Sequence, residues 1–409
     1  MRMLADRRGA MAVMVAATMP IFLGGVALAV DATQWTLARR MLQRQADSGA
    51  LAGVFSMAQG ADVSAAVTRD LSMNRNFGTL AAPLIENGPS VGPYAGDSSA
   101  VRVVLQTDLR LPFASLFLDG NTRVNVEATA ALVSIGELCA LALDRSSATG
   151  ITMTGSSIVD LNCGMAANSV APAAITGGGS STIIASPLIA SGGIPDSSNF
   201  APGTVRVPYA VPQADPFANL PQPEISGQVR QMRVQPGRVS SFEPGNYRNV
   251  SIQGRAELAP GEYYIDGGSF SVGAQAELIG DGVVIILTSA TASSSPASIA
   301  DVDINGGAYL NLKAPTGGTY DGVLFYQDRR ATFAANKYNK INGNSASELR
   351  GAIYFPSTGL DFTGNTGMQI DCIQLVGFRL VFNGNSTVRN VCPGAGGQAL
   401  AGSAVRLVG

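Results

Sequence analysis

Hydrophobic and polar residues follow three successive patterns along the chain, and the first is an uninterrupted apolar run. Residues 9–30 contain no charged side chain. As a helix that rises 1.5 Å per residue, this run spans about 33 Å, which matches a hydrocarbon core of about 30 Å. Arg2, Arg7 and Arg8 precede it. The positive-inside rule therefore predicts a cytoplasmic tail at 1–8, a transmembrane helix at 9–30 and a chain that continues outside the membrane.

A cleaved signal peptide is the alternative interpretation of the apolar run. Ala27-Leu28-Ala29 resembles an A-x-A cleavage site, and the arginines ahead of the run suit an n-region. The run is longer than the usual h-region of about 7–15 residues, which favours a retained anchor. Export of the remaining chain follows from both interpretations.

The second pattern has helical periodicity and covers residues 31–60. Small or apolar side chains recur there at steps of three and four residues, which predicts an amphipathic stalk helix. The candidates for helix packing are Trp35, Leu42, Ala46, Gly49 and Gly53. The two glycines form a small-xxx-small pair that lets helices approach closely, either within the same domain or between subunits. If this helix continues the apolar run, residues 10–58 form one helix about 70 Å long.

Residues 61–135 predict a small membrane-proximal α+β module. A further helix begins near residue 61 and ends at Asn74-Arg75-Asn76, and residues 78–99 are rich in Gly, Pro and Ser, as in a loop. Residues 101–105 and 122–128 alternate apolar and polar side chains, which indicates half-buried strands. The apolar patch 111–118 separates them.

The third pattern, over residues 136–409, consists of short strand-like runs separated by Gly-Asn and Gly-Gly pairs. The pairs Gly343-Asn344, Gly364-Asn365 and Gly384-Asn385, for example, recur about every 20 residues. The pattern predicts an irregular parallel β-helix, a solenoid whose coils bury their inner residues by stacking. An antiparallel β-sandwich with Asn-Gly hairpins is the alternative. The proline-rich segment from Tyr209 to Pro223 is expected to run extended across the solenoid surface. The fold class is thus mainly β with an N-terminal helix.

The cysteines fall into two pairs, Cys139 with Cys163 and Cys372 with Cys392. Neither pair has the C-x-x-C spacing of metal or thioredoxin chemistry. In an oxidising compartment two local disulfides are the simplest assignment. Four cysteines allow three connectivities, and the spacing does not choose between them.

Composition excludes several function classes. The chain of 409 residues contains no histidine, which excludes a Ser-His-Asp triad, a His-ligated zinc and a His-ligated haem. The net charge of −2 gives no basic footprint for nucleic acid. We therefore predict no nucleic-acid partner, no cofactor and no metal.

A carbohydrate-active β-helix would need paired carboxylates. The best-placed candidates are Asp301, Asp303, Asp321, Asp361 and Asp371. They adjoin glycines or lie at strand ends, where aspartate commonly serves turns. We therefore predict that the protein has no catalytic residues and is not an enzyme.

The N-terminal segment Asp6–Val54 closely resembles the N-terminal domain of TadG-like Flp pilus-assembly proteins. The matching features are an Arg-Gly start, the apolar span, Val30-Asp31 followed by Trp35, Leu37-Ala38-Arg39, and a tail from Leu42-Gln43 to Leu51-Ala52-Gly53.

The resemblance implies a structural or assembly component of a tight-adherence pilus, anchored in the bacterial inner membrane and facing the periplasm. Its implied partners are the inner membrane and other pilus-assembly subunits, with the cell wall or polysaccharide as a further candidate. The alternative is a secreted β-helical carbohydrate-active enzyme or an adhesin.

Some proteins of this family carry a metal-binding adhesion domain with a D-x-S-x-S loop. Asp144 and Ser146 of this chain match that loop, whereas Ala148 replaces its last serine and removes an oxygen ligand. We expect a turn here rather than a metal site.

Overall fold

The computed structural model describes residues 7–73, 81–116, 121–334, 338–362, 369–384, 387–390 and 400–409. The chain divides into two compact units. Unit 1 comprises Met1–Val133 and Val405–Gly409, and unit 2 comprises Ser134–Ala404.

In its described residues, unit 1 has an α+β fold. Its elements are α1 (Arg7–Ala58), α2 (Val63–Met73), β1 (Leu84–Asn87), β2 (Ala100–Leu109), a 3₁₀ turn (Ala114–Leu116) and β3 (Thr122–Ala142), whose second part enters unit 2. The strands pair antiparallel in the order β1-β2-β3. The prediction of one continuous helix over 10–58 is confirmed, whereas β1 lies within residues 78–99, for which the composition predicts a loop.

The core of unit 1 forms where the two helices cover one face of the sheet. Val101, Val103 and Leu105 alternate along β2 toward that core, as the apolar-polar pattern requires. The chain terminus returns to this unit, because Thr129 exchanges backbone hydrogen bonds with Val408 and Gly409. The sequence pattern predicts that residues 136–409 belong entirely to the solenoid, whereas Val405–Gly409 belong to unit 1.

Unit 2 consists of short strands with a single 3₁₀ turn (Pro296–Ser298) in its described part. The strands are β4 (Ile151–Met153), β5 (Ile158–Asp160), β6 (Gly164–Ala167), β7 (Ile175–Gly177), β8 (Thr182–Ile184), β9 (Leu188–Ala190), β10 (Arg206–Val207), β11 (Val229–Val234), β12 (Val239–Phe242), β13 (Gly245–Ile252), β14 (Arg255–Leu258), β15 (Gly261–Asp266), β16 (Ser269–Val272), β17 (Glu277–Asp281), β18 (Val283–Thr288), β19 (Asp301–Ile304), β20 (Tyr309–Lys313), β21 (Val323–Gln327), β22 (Tyr338–Ile341), β23 (Glu348–Phe362), β24 (Gln369–Phe382), β25 (Thr387–Asn390) and β26 (Leu400–Leu407), whose end lies in unit 1.

These strands stack as the coils of a parallel β-helix. Strand β15 pairs with β18, β16 with β19 and β17 with β20, so that each strand meets the one three positions later. The described pairings of unit 2 are parallel, which confirms the solenoid and rules out the antiparallel sandwich.

The order of the coils along the solenoid differs from their order in the sequence. Strand β24 pairs with β3 and β4, and β25 pairs with β5. The last coil of the chain therefore stacks on the first one. Along the solenoid, the coils from β11 to β25 come first, and those from β3 to β10 continue the same parallel stack.

Residues 208–228, which we call the strap, connect the two ends of this stack. From β10 to β11 the stack contains ten steps between strands, or about 48 Å at 4.8 Å per step. The strap can extend to about 65 Å, so it reaches the far end. Its contacts follow that path: Gln213 bonds Asn168, Asp215 bonds Tyr354, and Pro223 bonds Arg330. The extended segment predicted at Tyr209–Pro223 is confirmed.

The strap covers an apolar surface outside the solenoid interior. Phe217 packs edge-on against Tyr354 at a ring-centroid distance of 5.2 Å. Tyr354 in turn lies 5.5 Å from Tyr326, and both tyrosines are buried. Burial raises the pKa of Tyr326 to about 12, so this layer of phenols is neutral and serves as packing.

The Gly-Asn and Gly-Ser pairs of the sequence occur where glycines of successive coils stack on one another. Gly384, Gly155 and Gly179 follow one another at the same turn of successive coils, each with positive φ. A methyl group on Gly155 would lie 2.9 Å from the Gly384 carbonyl oxygen, and one on Gly179 would lie 2.7 Å from that of Gly155. The turn therefore requires glycine for both conformation and space.

Candidate functional site

The most unusual surface in the described residues is the first half of α1. Its large apolar side chains are exposed, for example Met11 at 70%, Phe22 at 72% and Leu28 at 74%. By length and composition, α1 is the one helix among the described residues that could cross a membrane. An apolar surface of this extent indicates a partner surface that is itself apolar.

Polar groups within this exposed segment are satisfied by the helix itself. The hydroxyl of Thr18 donates to the Met14 carbonyl at 2.9 Å. Pro20 lies inside the helix without ending it. Membrane helices tolerate such a proline, and internally bonded hydroxyls suit a hydrocarbon environment.

The second half of α1 packs within unit 1. Leu42 and Ala46 are buried in the core of that unit. A methyl group on Gly49 would meet Val67 and Leu71 of α2 at 3.4–3.5 Å, and one on Gly53 would lie 2.8 Å from Val101 of β2. The small-residue stripe thus faces the chain's own helix and sheet.

Trp35, the remaining packing candidate, lies outside that core. It is 36% exposed, and the guanidinium of Arg39 lies 5.6 Å from the centre of its ring. A partly exposed indole beside a cation is the side-chain pair that commonly lies at membrane–water interfaces.

Asp31 is a buried residue that directly follows the exposed apolar segment of α1. Its side chain is 7% exposed, and its carboxylate accepts hydrogen bonds from the backbone N–H groups of Phe113 at 3.2 Å and Ala114 at 2.5 Å. The loop after β2 is thereby fixed to the helix. Sequence analysis did not assign this role, although a lone aspartate directly after 22 uncharged residues was its signal.

An ion-pair network covers the outer face of the sheet in unit 1. Arg102 bonds Glu86 at 2.8 Å and also bonds Glu127. Hydrogen bonds from Ser90 and Arg102 lower the pKa of Glu86. Gln43 of α1 donates to the Glu127 backbone carbonyl at 2.8 Å. The network holds β1, β2 and β3 in register and presents no unusual chemistry.

Cys139 and Cys163 form a disulfide with a Cα–Cα distance of 5.9 Å. It joins β3 to the residue just before β6. The disulfide therefore cross-links two coils that are neighbours in the stack. The side chain of Cys372 and the whole of Cys392 lie outside the described residues, so the second predicted pair has no structural description here.

The residues that resembled a metal-binding loop form a closed turn. Buried Asp144 accepts hydrogen bonds from the backbone and hydroxyl of Ser146 at 2.8 and 2.9 Å, and from the Arg379 guanidinium at 2.6 Å. Both carboxylate oxygens are thus engaged by protein donors. Within the described ranges, no group of three or more Cys, Asp or Glu could hold a metal.

The aspartates considered for catalysis are distributed over several coils. The register places Lys340 between Asp303 and Asp361 on successive strands, an alternating charge row that favours stacking. Asp321 is exposed in a turn, and the side chain of Asp371 lies outside the described part of the chain. Asp301 lines a cavity of about 160 Å³.

That cavity is lined by amides and hydroxyls that bond one another. Asn339 donates to Thr358 at 2.7 Å and accepts from the Val302 backbone at 2.9 Å, while Thr358 donates to Gln327. Such mutual satisfaction is typical of a structural polar network.

Comparison with known proteins identifies the segment that contains the exposed helix. Residues 9–67 match the model of the family described as "Putative Flp pilus-assembly TadE/G-like". The match runs from the start of the apolar segment into α2, so this chain carries an N-terminal Tad-type domain, which supports a role related to Flp pilus assembly. Searches of curated proteins and of solved structures returned no match.

Proposed function

We propose that this protein is a structural component of tight-adherence pilus assembly, anchored in the inner membrane by residues 9–30 and facing the periplasm. The observation that carries the proposal is the change of surface along α1. Up to Val30 its large apolar side chains are exposed, whereas Ala38, Leu42 and Ala46 are buried, the last two in the core of unit 1. This division lies inside the Tad-type domain.

Two features support a cytoplasmic N-terminus with the chain after residue 30 on the opposite side of the membrane. Arg2, Arg7 and Arg8 precede the apolar segment, and cationic residues are retained on the cytoplasmic side. The Cys139–Cys163 disulfide favours an oxidising compartment for unit 2, because cytosolic thiols are kept reduced.

The solenoid serves as a rigid, non-catalytic platform in this proposal. Parallel stacking, the strap and a disulfide hold its coils together. Its partners are other pilus-assembly subunits, with cell-wall polysaccharide as a further candidate.

Exchange of the anchor tests this role. Residues 1–30 are replaced by a cleavable signal sequence, so that Asp31 and the packed half of α1 are kept. The expected product is folded, exported and soluble, and the strain lacks pili. The matched control replaces residues 9–30 with an unrelated transmembrane helix and restores piliation. Normal pili with the soluble form would refute the assembly role.

A further inference from the structure

Residues 110–116, which follow β2, lie at the end of unit 1 that adjoins the exposed apolar segment of α1. Asp31 bonds the backbone of Phe113 and Ala114, whereas Gly53 faces Val101 near the start of β2. Helix α1 and strand β2 therefore run antiparallel. Residues 31 and 53 are separated by about 33 Å of helix. The connection after β2 therefore lies at the end of unit 1 that is nearest to the exposed apolar segment of α1, which we call the near end. The loop before β2 lies at the opposite end, which we call the far end.

This near loop exposes apolar side chains. Leu116 is 73% exposed and Phe113 is 38% exposed, although the backbone that carries them is fixed by a buried carboxylate. A fixed loop with outward-facing leucine and phenylalanine differs from an ordinary polar connection. It offers an apolar contact at a defined position along α1.

The position corresponds to the expected edge of a bilayer. If residues 9–30 fill the hydrocarbon core, Asp31 lies at its boundary and the headgroup layer extends about 7 Å beyond. Trp35, four residues later, lies within that layer, with Arg39 beside it. The exposed loop side chains are held level with this interfacial pair by Asp31.

We propose that Phe113 and Leu116 enter the headgroup region of the same bilayer that α1 crosses. The protein then holds the membrane by its helix and by this loop, and Asp31 is the positioning residue that joins the two. The inference rests on the proposed membrane anchoring. Its consequence is a fixed orientation of unit 1 on the membrane surface, which a single helix alone would leave free to tilt.

Tryptophan fluorescence of the full chain in liposomes tests the contact. The chain contains a single tryptophan, so Trp35→Phe provides a dark background. Leu116→Trp reports the near loop. The matched control is Val91→Trp, because Val91 is 54% exposed in the loop at the far end. Phe22→Trp reports the anchor itself. The liposomes contain phosphatidylcholine and phosphatidylglycerol, brominated either near the headgroup or near the chain end.

We expect bromine near the headgroup to reduce Leu116→Trp fluorescence about twofold, as for an interfacial side chain, and to leave Val91→Trp unchanged. Acrylamide, a quencher dissolved in the aqueous phase, should quench Val91→Trp more strongly than Leu116→Trp. If Leu116→Trp behaves like Val91→Trp while bromine near the chain end quenches Phe22→Trp, the anchor stands and the loop contact is wrong. If Phe22→Trp is also unquenched, the anchoring fails and the loop contact fails with it.

A tryptophan could draw a loose loop into lipid on its own, so Asp31 provides the second measurement. Asp31→Ala in the Leu116→Trp background should reduce the quenching by headgroup bromine, because the loop is no longer held at the boundary. Circular dichroism checks that the fold is retained. Undiminished quenching in a folded Asp31→Ala protein would overturn the positioning role.

Discussion

Leu375 of β24 pairs in parallel register with Ala140 of β3, so the chain completes its solenoid by stacking the last coil on the first. The junction depends on close backbone contacts, above all that between Gly155 and Gly384. Residues far apart in sequence therefore share one cooperative stack.

Substitution of the junction glycine tests this closure. Gly155→Ala should destabilise unit 2 by about 1–3 kcal/mol, because Gly155 has a φ of 80° and its new methyl group would meet the Gly384 carbonyl oxygen. Gly178→Ala is the matched control, since its nearest neighbour lies 3.7 Å away. Thermal unfolding by circular dichroism measures both. Equal melting temperatures for the two variants would contradict the stacked junction.

The strap provides a second prediction. Tyr354 donates to Asp215 at 2.7 Å and accepts from Arg329 at 2.8 Å. Tyr354→Phe removes both hydrogen bonds, which should lower the free energy of strap opening by about 1–2 kcal/mol. Limited chymotrypsin digestion after Phe217 should then accelerate about tenfold. Tyr209→Phe, at a side chain 72% exposed, should leave the rate unchanged. Equal cleavage of both variants would show that the strap is not held by Tyr354.

Acid stability should depend on Asp266. Burial opposes ionisation of this carboxyl, but hydrogen bonds from the Ala290 backbone and from Arg248 outweigh burial and hold its pKa below the ordinary 3.8. A lowered folded-state pKa stabilises the protein above pH 3.8, and this stabilisation is lost as the pH falls through the folded-state value.

Asp266→Asn should therefore melt below the wild type at neutral pH, and the difference should shrink below pH 3.8. Asp281→Asn is the control, because the Asp281 side chain is 82% exposed. Melting curves from neutral to acidic pH measure the effect. A difference that stays constant with pH would contradict the assigned ionisation.

Substitutions of Gly49 and Gly53 in α1 distinguish packing within unit 1 from packing between subunits. Gly53→Ala should destabilise unit 1 by about 1–3 kcal/mol through overpacking, because its methyl group would lie 2.8 Å from Val101. Gly49→Ala should be tolerated, since its neighbours lie at ordinary contact distances. Denaturation of the full chain measures both. Unchanged stability with loss of assembly in both variants would favour the subunit interface instead.

Sequence periodicity predicted α1 and the solenoid because both are repetitive. An uncharged run with regular small residues defines a helix, and glycine turns at short intervals define stacked coils. Their local patterns do not depend on distant residues.

The coil order, the return of the C-terminus and the role of Asp31 depend on contacts between distant residues. Leu375 and Ala140 are ordinary strand residues, and their pairing leaves no local pattern. Thr129 likewise gives no sign that it bonds Val408. The bonds of Asp31 to residues 113 and 114 cross more than eighty positions of sequence.

The most direct test of the account is the state of the native N-terminus in the membrane. Cells that produce the tagged full chain are fractionated, the membranes are washed with alkaline carbonate, and the mature protein is identified by mass spectrometry. We predict that the protein stays in the washed membranes and retains the peptide that covers residues 9–39. A soluble protein whose first residue lies near Val30 would contradict the anchor and the pilus-assembly role built on it.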